Sequence, residues 1–132
     1  MSKENFDEMI TFIYVSDLEN SRMFYEEMLK FPLRLDQGSC RIVETNKGGG
    51  GLLGYCVRDQ NSDSANNLII TLVTSKVDEW YEYLINNGVQ VPEPPSYNQR
   101  YKIYHFFFYD PDGYKLEIQD FRDPVWYENL EK

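Results

Sequence analysis

The chain has 132 residues, is 42% hydrophobic and 16% aromatic, and carries a formal net charge of -9 at pH 7. One domain of this size buries roughly two-thirds of its unfolded surface. The acidic balance excludes nucleic acid as a partner, because phosphate binding needs clustered Lys and Arg, and no apolar run nears the roughly 20 residues of a membrane span.

The first eight residues are polar and acidic, with no apolar core of a secretory leader, so a cytoplasmic protein is expected. Cys40 and Cys56 are then expected as free thiols with packing roles. Together with the single histidine, His105, they do not make a zinc site.

Met9 to Val15 reads as a strand. Ser16-Asp17 offers a helix N-cap, and apolar residues at near-helical spacing extend the helix from Leu18 to Lys30, where Pro32 stops it. Leu33 to Asp36, Cys40 to Glu44 and Leu52 to Val57 follow as short strands, the first two joined by a turn at Gln37-Gly38-Ser39. The run Lys47 to Gly51 is a flexible loop; it lacks the lysine-hydroxyl pair of a phosphate loop and no helical pattern follows it. Arg58 to Asn67, rich in Asn, Ser and Asp, reads as a linker.

The order then repeats. Leu68 to Val73 is a strand, and Thr74 or Ser75 caps a helix from about Lys76 to Asn87, closed by Asn87-Gly88. Val89 to Val91 is a short strand, and Pro92 to Gln99 a loop rich in Pro and Ser. Ile103 to Tyr109 and Lys115 to Gln119 form a hairpin around Asp110-Pro111-Asp112-Gly113, a type I turn whose Asp110 bonds backbone at its start. Asp123-Pro124 opens a C-terminal helix over about 123–131 that carries Trp126 and Tyr127. The organisation is β-α-β-β-β, linker, β-α-β-β-β. The two halves open alike at Val15-Ser16-Asp17-Leu18 and Val73-Thr74-Ser75-Lys76, an internal repeat of about 58 residues.

Three stretches carry a resemblance to a known family: Val15-Ser16-Asp17-Leu18-Glu19 running into Phe24-Tyr25, Val77-Asp78 running to Gly88-Val89, and Asp110-Pro111-Asp112-Gly113-Tyr114-Lys115-Leu116-Glu117. The chain resembles the glyoxalase/bleomycin-resistance/dioxygenase superfamily, or vicinal oxygen chelate proteins, from Met9 to about Phe121. The resemblance implies an α+β fold of two βαβββ modules, about 9–57 and 68–121, forming a curled mixed sheet around a cleft with helices outside. Lys30 departs from the family, which usually has glycine there. The metal-binding members imply ligands at positions that here are Ile10, Ile69 and Glu117. One carboxylate between two isoleucines does not hold Zn, Fe or Mn, so no cofactor is expected, with a divalent metal as the alternative.

Strand alternation places Phe12 and Tyr14 with Ile10, Thr71 with Ile69, and Lys115 with Glu117 on cleft faces. The family register of the last hairpin adds His105 and Phe107; a simple four-residue turn would instead set Phe106 opposite Glu117 and point His105 outward. His105 and Glu117 are the candidate acid/base residues. Either can also be a merely paired group, with Lys115 or Arg41 neutralising the glutamate. The candidate ligand-binding set is Phe12, Tyr14, Thr71, His105, Phe107, Lys115, Glu117 and Trp126, and Trp126 also suits packing. The expected function is a homodimeric, metal-free binder of a cationic or aromatic small molecule in an acidic, aromatic cleft. The alternative is a lyase, isomerase or dioxygenase using a metal or Glu117/His105 chemistry.

Overall fold

The computed structural model describes residues 8–57 and 68–128, so the expected linker 58–67 and the end of the C-terminal helix lie outside the described residues. The chain divides into two compact units, Met1–Asp63 and Ser64–Lys132. It has the α+β class expected, with two four-stranded mixed sheets.

In the first unit, strands β1 (Met9–Val15), β2 (Leu33–Asp36), β3 (Cys40–Glu44) and β4 (Gly51–Val57) lie in the order β1-β4-β3-β2, with β1 parallel to β4. In the second, β5 (Ile69–Val73), β6 (Ser96–Asn98), β7 (Ile103–Tyr109) and β8 (Lys115–Phe121) lie in the order β5-β8-β7-β6, with β5 parallel to β8. The sequence repeat is therefore a repeat of topology.

Helix α1 (Leu18–Arg22) starts at Asp17, whose carboxylate accepts from the Asn20 backbone N–H at 3.0 Å. It runs on as a π-helical segment, Met23–Met28, rather than as the uniform α-helix to Lys30 that the spacing predicts. The last turn is widened: Leu29 N–H donates to the Phe24 carbonyl at 3.0 Å, and Phe31 N–H to that of Tyr25 at 3.0 Å. Lys30 then takes φ +64°, the left-handed conformation that glycine adopts without steric cost. Helix α2 (Val77–Asn86) has Lys76 as its N-cap residue, and no side chain caps it; Thr74 Oγ1 instead accepts from the Lys76 N–H in a tight local turn. Gly88, at φ +76°, closes the helix as expected.

Each sheet buries one face under its own helix. Ile13, Val15, Leu53 and Tyr55 are buried in the first unit together with Phe24 and Tyr25, and the Tyr25 and Tyr55 rings stack at 5.4 Å. Leu84, Phe106, Phe108, Leu116 and Ile118 form the second core. On the other face of β1, Ile10, Phe12 and Tyr14 are exposed, as alternation predicts.

Two expectations need correcting. Cys40 and Cys56 are not free thiols: β3 and β4 are registered so that they are direct cross-strand partners, their Cα atoms 4.0 Å apart, and they form a disulfide. The spacing of the two in the sequence does not reveal that register. Within the expected 92–99 loop, Ser96–Asn98 forms β6 on the edge of β7, and of the expected strand 89–91 there remains an isolated bridge from Gln90 to Tyr109.

Candidate functional site

The last hairpin builds the site. Its turn is the type I turn expected: Gly113 N–H donates to the Asp110 carbonyl at 3.1 Å, and Asp110 Oδ1 accepts from the backbone of Asp112 at 2.9 Å and Tyr114 at 2.8 Å. Gly113, at φ +88°, adds one residue beyond a four-residue loop. Phe107 therefore stands opposite Glu117, and Tyr109 opposite Lys115. This is the family register. It sends His105, Phe107, Lys115, Glu117 and Gln119 to one face.

Glu117 and Gln119 are both buried on that face. The Glu117 carboxylate has partners on both oxygens. Thr71 Oγ1, beside it on β5, donates to Oε1 at 2.9 Å. His105 Nδ1, diagonally across on β7, lies 2.6 Å from Oε2. An ionised carboxylate only accepts, so in this contact the imidazole Nδ1–H is the donor. The buried glutamate is thus neutralised by neither Lys115 nor Arg41. Lys115 sits with its ammonium 4.0 Å from the centre of the Phe107 ring. Arg41 bonds Glu26 and Asp36 in the first unit. The His105 ring also meets Phe107, edge-on at 5.2 Å.

A cavity of about 180 Å³ opens beside this cluster. His105, Phe107, Tyr109 and Lys115 form one wall; Pro92, Glu93, Pro94 and Ser96 form the other. The second wall escapes sequence reasoning because it depends on β6, which brings Ser96 opposite His105. A Pro-rich stretch just ahead of the hairpin was its one available signal. Of the other candidates, Thr71 joins the cluster through Glu117. Trp126 lies away from it in helix α3 (Pro124–Glu128), stacked on Phe121 at 3.9 Å. Phe12 and Tyr14 belong to the first unit, where the Phe12 ring covers Gly54 of β4.

Comparison with known proteins places this arrangement. A family model described as the glyoxalase/bleomycin resistance protein/dioxygenase superfamily matches residues 8–118. The chain belongs to this superfamily. It is 30% identical over 114 residues to a protein of Staphylococcus saprophyticus named metallothiol transferase FosB, a match covering 79% of this chain and 70% of that protein. Among solved structures it is similar to an integron cassette protein from a sewage-outfall metagenome of Halifax Harbour, with a TM-score of 0.74 at 22% identity, covering 86% of this chain and 97% of that one. A genomically encoded fosfomycin resistance protein, FosX, of Listeria monocytogenes gives 0.68 at 17% identity, covering 90% and 94%. These structural likenesses speak for the fold.

The positions at which the resemblance implies metal ligands are 10, 69 and 117. Ile10 and Ile69 offer no donor atom, and among the described residues no group of three or more His, Cys, Asp or Glu is placed to hold an ion. The register of β5 on β8 also puts Ile69 beside Lys115, whose ammonium repels a cation, and puts Thr71 beside Glu117. Both carboxylate oxygens are already engaged by protein hydrogens. Among the described residues no helix is long and apolar enough to cross a membrane.

Proposed function

We propose that this superfamily member is a metal-independent binding protein, cytoplasmic and homodimeric, that holds an aromatic small molecule in the cavity between the 92–96 segment and the last hairpin. The observation that carries the reading is the engagement of Glu117. Its carboxylate, the one retained position of the family's ligand set, is held by Thr71 and His105 instead of standing open. The cavity lining favours a flat apolar ligand: it includes two prolines with Phe107 and Tyr109, surfaces suited to stacking. The expected preference for a cation rested on the net charge of -9 and the aromatic content, with Glu117 as a carboxylate able to meet it; that carboxylate is engaged by protein groups.

The test has two arms. Protein purified without chelators is assayed for Zn, Fe, Mn, Mg and Ca, and titrated with 2-naphthol by calorimetry with and without EDTA. The reading expects sub-stoichiometric metal and saturable, EDTA-insensitive binding. Near-stoichiometric metal, or binding abolished by EDTA, would sink it.

A second reading is an enzyme. The likeness to a protein named a metallothiol transferase favours group transfer, and the His105–Glu117 contact has the shape of a carboxylate-oriented imidazole able to move a proton. The transferase version needs a metal site that Ile10 and Ile69 do not supply. Turnover of a thiol and an electrophilic acceptor by the chelated protein would favour the enzyme over the binder.

A further inference from the structure

The charge of the ligand can be read from the cavity, given the binding function just proposed. Lys115 lines the cavity and is half-buried. Its ammonium lies over the Phe107 ring, 4.0 Å from the centroid, and no carboxylate among the described residues pairs with it. A ring face stabilises the charge but accepts none of the ammonium's hydrogens in the way an oxygen does. In a chain of net charge -9, a cation turned into a cavity without an acidic partner is an unusual placement. The acid in the cavity lining, Glu93, is exposed, so solvent screens it more than it screens Lys115. Phe107 also contacts the His105 ring, at 5.2 Å. The ring's Nδ1 is committed to Glu117, and Nε2 has no partner among the described residues.

We infer that the cavity selects an aromatic carboxylate, or an equally flat aromatic anion, with its anionic oxygens on Lys115 and any further polar group of the ring hydrogen-bonded to Nε2 of His105. The aromatic body stacks in the Pro92/Pro94 and Phe107/Tyr109 walls. The ligand's charge supplies the acceptor that the ammonium lacks. This is the opposite charge from the one the acidic composition suggests.

Three probes of one shape test it: 2-naphthoate, 2-naphthol and 2-naphthylmethylammonium. Each is titrated into the intact chain by calorimetry, while NMR follows the imidazole signals of His105, the single histidine and so an unambiguous reporter of the cavity. Naphthoate should bind about tenfold more tightly than naphthol, the lower end of what a charge-assisted hydrogen bond contributes. Lys115→Met should erase that difference and Lys115→Arg should keep it, with folding of both verified by circular dichroism. Equal or tighter binding of naphthol or the ammonium probe, with His105 shifting, overturns the anion assignment and leaves the binding function standing. If no probe shifts the His105 signals, both fall.

Discussion

The strongest stability prediction concerns Arg41 and Glu26, which lock the first helical segment to its sheet. Arg41 on β3 holds the carboxylate of Glu26 with two donors, Nε at 2.6 Å to Oε2 and Nη2 at 2.8 Å to Oε1. The Tyr55 hydroxyl donates to the same Oε2. The side chains are only 15% and 11% exposed, which separates this pair from ordinary surface ion pairs worth about 1 kcal/mol or less. Arg41→Met removes one partner and leaves Glu26 with Tyr55 alone. Orphaning a buried charge costs about 3–5 kcal/mol, and partial exposure argues for the low end, about 3 kcal/mol. Against a total stability of roughly 5–15 kcal/mol, that would lower Tm by roughly 10 °C. Urea unfolding should show a lower midpoint at unchanged slope. A loss below about 1 kcal/mol would refute the reasoning, because the pair would then behave as a solvated one.

The same network fixes the sign of a pH effect. Burial pushes the Glu26 carboxyl upward, but the hydrogen bonds from Arg41 and Tyr55 prevail and hold it below the usual carboxylate range. A carboxyl depressed on folding contributes stability that is present above its unfolded pKa and is lost as pH falls through the lower, folded one. The wild type should therefore weaken on acidification below about pH 4.5. In Arg41→Met the carboxyl loses that support, so the gap between variant and wild type should narrow as pH falls. A gap that stays constant down to acid unfolding would contradict the assignment.

Other perturbations have equally definite outcomes. Lys30→Gly relieves a left-handed residue at φ +64° and should stabilise by about 0.5–1 kcal/mol in urea unfolding, net of glycine's extra chain entropy. Gly54→Ala forces its new methyl into the Phe12 ring, which must swing off β4, and should cost about 1–2 kcal/mol; Phe12→Ala in the same background should recover part of that loss. Reducing Cys40–Cys56, separated by 16 residues, should lower stability by about 3 kcal/mol on the chain-entropy account, with mass-spectrometric alkylation confirming two thiols only after reductant. Glu117→Leu leaves the Thr71 hydroxyl and His105 Nδ1–H without their acceptor and should cost about 2 kcal/mol, whereas Glu117→Gln, which keeps an acceptor oxygen, should cost less.

What the sequence disclosed is what local chemistry controls. The Asp110–Gly113 turn, the alternation in β1 and β8, and the Asp17 cap each depend on residues close in the chain, and each appears as read. What it withheld depends on registers between distant strands. Cys40 meets Cys56 because of how β3 lies on β4, and Ser96 meets His105 because of β6. Lys30 shows a middle case: its departure from the family's glycine was visible, and the left-handed backbone supplies its physical meaning.

On the proposed reading, composition misleads about the ligand. A net charge of -9 describes the field far from the surface, where solvent and salt average it within about 10 Å. A ligand in the cavity meets individual groups at contact distance, and there the register decides. One residue added to the hairpin loop turns His105 inward, where it bonds the buried glutamate, and leaves Lys115 as the half-buried charge on the cavity wall. Had the turn closed on four residues, Phe106 would oppose Glu117 and the imidazole would leave this face. The polarity of the site therefore depends on the turn that Gly113 makes possible at φ +88°, and not on the excess of acidic residues elsewhere in the chain.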